Sequence, residues 1–155
     1  MQRSNPRLRP HWLAHWFGCG LMPVAPGTVG SLAALPLHYL LNKSGPLQHA
    51  LAVLALAIIG MIVSQRAAKA VGDDDPGGVV IDEVVGTLIA CWFIRGWGWP
   101  AIAAAFALFR LLDITKPWLI DRVQHVGPPG VSIMLDDILA GLVAGVLSFF
   151  LAYWL

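Results

Sequence analysis

The chain has little charge for its length of 155 residues. Nine acidic and ten basic residues make up 12% of it, whereas a soluble domain carries roughly 25%. Hydrophobic residues account for 57%, and this composition along most of the chain predicts a multi-pass membrane protein. A formal net charge of +1, without a basic stretch that contains interleaved aromatics, argues against a nucleic-acid partner.

Cysteine is scarce, and a cleavable signal peptide is missing. Cys19 and Cys91 lie in apolar surroundings and form neither a CxxC pair nor a spacing typical of metal ligands. We interpret them as buried, unreactive thiols. The charged N-terminus is not followed by a clean apolar stretch with a small-residue cleavage site. The sequence therefore predicts one domain over residues 1–155, of which residues 1–14 form a basic N-terminal tail.

Five apolar segments predict an all-α, multi-pass helical membrane protein. They cover residues 28–41, 47–63, 79–94, 100–114 and 138–155. The second is the cleanest, because a helix of this length, at about 1.5 Å per residue, approaches the roughly 30 Å hydrocarbon core of a bilayer. The first contains Pro36, so we expect it to be kinked or re-entrant rather than a regular crossing.

The distribution of basic residues predicts the orientation. If the N-terminus is cytoplasmic and all five segments cross, only Lys43 and Arg95 fall outside. The cytoplasmic side then carries most of the basic residues, namely Arg3, Arg7, Arg9, Arg66, Lys69, Lys116 and Arg122. This asymmetry agrees with the positive-inside rule.

The same topology brings the intramembrane charges to one depth. The third segment carries an acidic pair near its cytoplasmic end, the fourth carries a basic and an acidic residue at its cytoplasmic end, and the fifth begins beside another acidic pair. The residues are, in that order, Asp82 and Glu83, Arg110 and Asp113, and Asp136 and Asp137. The motif "PGTVGS", residues 26–31, opens the first segment on the same side. Ionisable residues at membrane depth are functional candidates by default.

Five carboxylates at one depth need a positive charge among them. Mg²⁺ suits them because it takes oxygen ligands and commonly bridges carboxylates to a phosphate; no His or Cys spacing favours zinc. Arg110, Asp113 and Lys116, spaced by three, share one helix face that suits an anionic phosphate. Gly27, Thr28 and Ser31 are further candidates for phosphate binding.

Structural interpretations stay open for several of these features. A Pro-Gly-Thr start more often forms only a turn and an N-cap, and Arg110 with Asp113 can be a structural ion pair. The acidic run at residues 73–75 lies in a Gly/Pro loop and is interpreted as a solvated turn. His125, in the loop before the last segment, is a minor candidate for a proton donor.

Four motifs in this order, "PGTVGS", "DEVVG", "FRLLDITKPW" and "MLDDILAG", resemble the bacterial phosphatidylglycerophosphatase A family over about residues 15–145. The resemblance implies a Mg²⁺-dependent, all-helical enzyme of the bacterial inner membrane that converts phosphatidylglycerophosphate to phosphatidylglycerol and phosphate. The family's basic positions fall on Arg110 and Lys116. Its acidic, catalytic and metal-binding positions fall on Asp82, Glu83, Asp113, Asp136 and Asp137. The chain departs from the family pattern at Leu119 and in the longer loop "HVGPPGVSI".

The expected mechanism is attack by metal-activated water at the cytoplasmic interface, because neither a phosphatase-loop cysteine nor a suitably placed histidine is present as nucleophile. The alternative is a small cation- or proton-coupled transporter that uses the same carboxylates as a relay. Against it, the acidic residues gather at one surface and no inverted repeat is evident. The sequence indicates no oligomeric state.

Overall fold

The computed structural model describes residues 12–154, which form six α-helices and no strand. The predicted all-α class is therefore confirmed. The helices are α1 Pro26–Asn42, α2 Pro46–Val71, α3 Ile81–Trp92, α4 Trp99–Thr115, α5 Trp118–Val123 and α6 Pro129–Ala152. A short 3₁₀ turn, Cys19–Leu21, precedes α1.

Each predicted apolar segment coincides with a helix, but two boundaries were wrong. Helix α2 continues to Val71 rather than ending at residue 63. Helix α6 begins at Pro129 rather than at residue 138, so Asp136 and Asp137 lie about two turns inside the helix rather than at its start. The early start has a physical reason: Pro129 occupies the first helical position, where its missing N–H costs nothing and its fixed φ suits the helix. Helix α1 runs without a break through Pro36.

Within the part of the chain that the structure describes, two helices are long and apolar enough to cross a membrane. These are α2, with 26 residues, and α6, with 24 residues. Helices α1 and α4 have 17 residues each and rise about 25 Å, whereas α3 has 12 residues and rises about 18 Å. The prediction of five membrane crossings is thus not confirmed.

Helix α3 is the innermost element of the bundle. It contacts α1, α2, α4 and α6, and residues such as Ile81, Val84, Val85 and Leu88 are fully buried. A helix enclosed on all sides by others gains its apolar burial from protein rather than lipid, so it need not match the thickness of a bilayer.

Glycines let α3 and α6 approach closely. A Cβ atom on Gly141 would overlap the carbonyl oxygen of Gly86, and a Cβ on Gly86 would overlap the ring of Phe109 and lie 2.8 Å from the Asp137 carbonyl oxygen. Small residues at such contacts are what close helix packing requires. The pair Gly86 and Gly141 therefore fixes how α3 and α6 sit against each other.

Residues 12–14 were predicted to belong to the N-terminal tail, but they pack against the helix bundle. Ala14 is fully buried, and its carbonyl oxygen accepts hydrogen bonds from the backbone N–H groups of Val80 (2.9 Å) and Ile81 (3.2 Å). The side chain of His15 is also buried and contacts the Gly78 carbonyl oxygen. Residues 12–15 thus belong to the folded domain, where they hold the start of α3. Arg3, Arg7 and Arg9 lie outside the described residues.

Candidate active site

Three carboxylates from two helices meet at one end of the bundle. Asp82 and Glu83 lie in the first turn of α3, Asp137 lies in α6, and one oxygen of each is within 4.8 Å of the other two. Asp82 Oδ1, Glu83 Oε2 and Asp137 Oδ2 are buried and have no hydrogen-bond partner among residues 12–154. Buried carboxylate oxygens without partners are costly. This carboxylate trio therefore has the chemistry of a cation site.

Asp136 faces a different partner from its neighbour Asp137. The Lys116 ammonium donates a hydrogen bond to Asp136 Oδ2 at 2.7 Å. Consecutive helical residues point about 100° apart, which explains why Asp137 joins the trio while Asp136 pairs with a lysine. Burial opposes the charge of Lys116, but the hydrogen bond and negative charge of Asp136 outweigh it and raise the pKa of Lys116 above its ordinary value.

Arg110 and Asp113 form an ion pair within α4, next to the trio. Arg110 also donates to the Ser31 hydroxyl at 3.5 Å. Arg110 and Asp113 thus share a face of α4 as predicted, whereas Lys116 lies beyond the end of the helix, at its C-cap. Arg110 Nη1 contacts protein partners, Arg110 Nε is buried without a partner among the described residues, and Arg110 is not among the residues that line the cavity described next.

A cavity of about 460 Å³ opens beside these groups. It is lined by all five predicted carboxylates and by Lys116. Further polar lining residues are Asp73, Asp74, Asp75, Gln124, His125 and Ser132. The three aspartates of the loop are exposed, as expected of a solvated turn, yet they form one wall of the cavity. Gln124 and Ser132 were not predicted, because an uncharged side chain leaves no signal in the spacing of charges.

The predicted phosphate-binding residues at the start of α1 lie elsewhere. Gly27, Thr28 and Ser31 are not among the residues that line the cavity. A Cβ on Gly27 would overlap Glu83 Oε1 and lie 3.3 Å from an Arg110 guanidinium nitrogen, and the Ser31 hydroxyl donates to the Gly27 carbonyl oxygen at 2.9 Å. The structure gives Gly27 and Ser31 a packing role behind Glu83 and Arg110. Their direct contact with phosphate stays a prediction.

Comparisons with known proteins indicate the family of the chain. The sequence profile of the phosphatidylglycerophosphatase A family matches residues 12–152. A phosphatidylglycerophosphatase A of Escherichia coli is 40% identical over 99% of this chain and 88% of its own length. That of Haemophilus influenzae is 39% identical over 100% of this chain and 99% of its own length.

A third relative, from Bacteroides thetaiotaomicron, is 34% identical over 93% of this chain and 94% of its own length, and carries the provisional name phosphatidylinositol-3-phosphatase. No solved structure matches the chain. The profile match and the two phosphatidylglycerophosphatase A relatives, each aligned over almost the whole chain, lead to one conclusion. The chain belongs to the phosphatidylglycerophosphatase A family of lipid phosphatases.

Proposed function

We propose that this chain converts phosphatidylglycerophosphate to phosphatidylglycerol and phosphate with the help of Mg²⁺. The substrate is the one that the names of two relatives give. The observation that carries the proposal is the carboxylate trio: three buried oxygens without partners, beside a cavity whose lining residues include Lys116. A phosphate monoester needs both a cation and a donor, because its uncatalysed hydrolysis is among the slowest reactions known.

The donor set of the trio fits Mg²⁺. All three side chains offer oxygen, which hard cations prefer, and no His or Cys belongs to the cluster within residues 12–154. Asp82, Glu83 and Asp137 would hold the ion, with Asp113 and Asp136 on the adjacent cavity wall. When bound, Mg²⁺ would lower the pKa of a coordinated water and offset charge on the phosphoryl oxygens.

The chain's own residues bind and orient the phosphate. Lys116 is the only lysine or arginine among the described residues that line the cavity, so it is the donor to a phosphoryl oxygen that enters there. Its positive charge also offsets the negative charge that the phosphoryl group carries in the ground state and in the transition state alike. Asp136 holds the ammonium in place through the 2.7 Å hydrogen bond. Arg110 neutralises Asp113, which lowers the repulsion that an incoming phosphate meets.

The membrane placement follows from the ends of the helices. The C-terminal end of α2 and the N-terminal end of α6 lie at the site, and Arg66, Lys69, Lys116 and Arg122 belong to this end, whereas Lys43 and Arg95 belong to the other. On the positive-inside rule, we propose that the site lies at the cytoplasmic face of the bacterial inner membrane. We propose that α1, α2, α4 and α6 cross the membrane around the enclosed α3, which is the fifth crossing. A lipid headgroup reaches this interface while its acyl chains stay in the bilayer.

The transporter alternative has no support among the relatives, which are named as phosphatases. The deciding experiment measures phosphate release from phosphatidylglycerophosphate by purified protein, with Mg²⁺ and with a chelator. We expect release only with Mg²⁺, and its loss in Asp137→Asn. The control is Gln48→Glu, the reverse exchange of amide and carboxylate at an exposed residue of α2 near the opposite end of the bundle. Absence of release in Mg²⁺, or undiminished release by Asp137→Asn, would contradict the proposal.

A further inference from the structure

The backbone of Lys116 adopts a conformation that lysine disfavours. The residue follows the end of α4 with φ 40° and ψ 60°, in the left-handed region, and its N–H donates to the Leu112 carbonyl oxygen at 2.9 Å. A non-glycine residue there costs about 1–2 kcal/mol. Glycine would be easier to accommodate at this position, and Ala25, Trp16 and Phe17 share the left-handed region, so the role of Lys116 rests on the contacts of its side chain.

Lys116 keeps one hydrogen-bond donor for a ligand. An ammonium group has three N–H donors. One goes to Asp136 Oδ2 at 2.7 Å and a second to the side-chain oxygen of Gln124 at 3.0 Å. Both partners line the cavity together with Lys116. The third donor is thus the one that remains for a molecule inside the cavity.

Gln124 is itself fixed from its other side. Its amide nitrogen donates to Asp121 Oδ1 at 2.5 Å. A lysine can only donate and an ionised carboxylate can only accept, so the two neighbours determine which way the amide points. Asp121, Gln124 and Lys116 thus form a chain of hydrogen bonds from the exposed side of α5 into the cavity. We call it the Lys116 chain.

We propose that Gln124 is a positioning residue that holds the Lys116 ammonium between itself and Asp136, so that its third N–H faces the phosphate. The inference rests on the proposed function in one respect, namely that the ligand in the cavity is a phosphate group. Without Gln124, the attraction of Asp136 is unopposed and draws the ammonium towards that carboxylate. Lys116 is then less available to the ligand, both in the ground state and in the transition state.

The expected change in the kinetic constants follows from the equal loss of the Lys116 interaction in the ground state and in the transition state. An interaction lost equally in both states raises KM and leaves kcat nearly unchanged. Gln124→Met keeps the length of the side chain but removes both hydrogen bonds, and we expect KM to rise about tenfold. The matched control is Gln48→Met, the same chemical change at an exposed glutamine of α2 near the opposite end of the bundle.

A double-mutant cycle tests whether Gln124 acts through Lys116. Gln124→Met should change KM about tenfold in the unmodified protein and less than about twofold in a Lys116→Met background. Equal effects in both backgrounds would overturn the proposal, since Gln124 would then act by another route.

An exchange of the carboxylate and the amide between residues 121 and 124 tests the Lys116 chain itself. Gln124→Glu places two carboxylates side by side and should raise KM. Gln124→Glu combined with Asp121→Asn keeps the acceptor for Lys116 and supplies, from residue 121, a donor to residue 124, so KM should return to within about twofold of the original value. A purely structural role of this segment predicts no such rescue, and its absence would overturn the proposal.

The same variants distinguish a failure of the inference on Gln124 from a failure of the proposed function. If the unmodified protein releases no phosphate from phosphatidylglycerophosphate, the proposed function fails, and binding of inorganic phosphate to the purified protein becomes the measurement. The inference then requires that Gln124→Met weakens binding about tenfold, and only when Lys116 is present. A loss that does not depend on Lys116 would overturn it.

Discussion

The two ends of the helix bundle differ in whether their ionisable side chains have hydrogen-bond partners. At the end opposite the site, Arg95 donates to the carbonyl oxygens of Leu41 (3.0 Å), Asn42 (3.2 Å) and Ser44 (2.5 Å) and contacts His49 Nδ1 at 2.6 Å. Its guanidinium group thereby ties the end of α1 to the segment that follows α3. At the site end, each member of the carboxylate trio keeps a buried oxygen without a partner.

Burial therefore does not identify the site, but unmet hydrogen-bonding capacity on a charged group does. Arg95 satisfies acceptors that the fold itself leaves open, and this is a structural role. The far end also holds ring nitrogens of His38 and His49 without partners. An imidazole can be neutral, however, so its burial costs only a missing hydrogen bond. A buried carboxylate without a partner costs far more.

The largest expected effect comes from the trio. Asp137→Asn keeps the shape of the side chain but removes one negative charge, and we expect phosphate release to fall about 10²–10³-fold. The same change should stabilise the metal-free protein, because it relieves repulsion among buried carboxylates. Thermal unfolding in the presence of a chelator measures this gain. A large loss of stability in Asp137→Asn would mean that the trio is a structural element like Arg95.

Arg95 should show the reverse behaviour. Arg95→Met leaves the carbonyl oxygens of Leu41, Asn42 and Ser44 without their donor, and the free energy of unfolding should fall by about 2–4 kcal/mol. The kcat of the folded fraction should change less than about twofold. Denaturant titration in detergent micelles measures the first quantity. Arg66→Met, at an exposed arginine of α2, is the control. A selective loss of kcat in Arg95→Met would remove the contrast between the two ends.

Mg²⁺ should raise the free energy of unfolding of the protein by binding at the carboxylate trio alone. At a concentration 100-fold above the dissociation constant, a ligand that binds only the native state adds about 2.7 kcal/mol to the free energy of unfolding. Thermal melting with and without Mg²⁺ should show this gain in the unmodified protein and in Arg95→Met, but not in Asp137→Asn. An equal gain in Asp137→Asn would place the bound ion outside the trio.

The smallest of these effects concerns the support of Glu83. Gly27→Ala introduces a Cβ where Glu83 Oε1 now lies, so Glu83 must shift and kcat/KM should fall about tenfold. The control is Gly98→Ala at the far end, where a Cβ would meet only the Pro100 ring at 3.4 Å. Full activity in Gly27→Ala would show that Glu83 moves freely and would remove it from the trio.

The convergence of the carboxylates was predictable from the sequence for a simple physical reason. Helices that alternate in direction bring every second chain segment to the same end of a bundle. The three groups of carboxylates were therefore expected to meet. They are Asp82 and Glu83 before the apolar run of α3, Asp113 near the end of α4, and Asp136 and Asp137 before the last apolar run. The structure places all five around one cavity.

Other features depend on packing that hydropathy does not encode. Length and composition do not reveal that α3 is enclosed by four helices, because an apolar face looks the same whether lipid or protein covers it. The short helix α5 lies in a loop without a clear apolar period, and Gln124 carries no charge that marks it. The start of α6 was missed because Pro129 was taken as part of a loop, although proline is well suited to a first helical turn.

The contact between Gly86 and Gly141 bears on which metal ion the carboxylate trio would accept. Oxygen atoms bind Mg²⁺ at 2.0–2.1 Å and Ca²⁺ at 2.3–2.6 Å, so a few tenths of an ångström separate the two ions. Asp82 and Glu83 are carried by α3 and Asp137 by α6. If the trio holds the ion, the spacing of these two helices limits its radius, and the discrimination between the two ions depends on glycine hydrogens that lie more than one helical turn from Asp82.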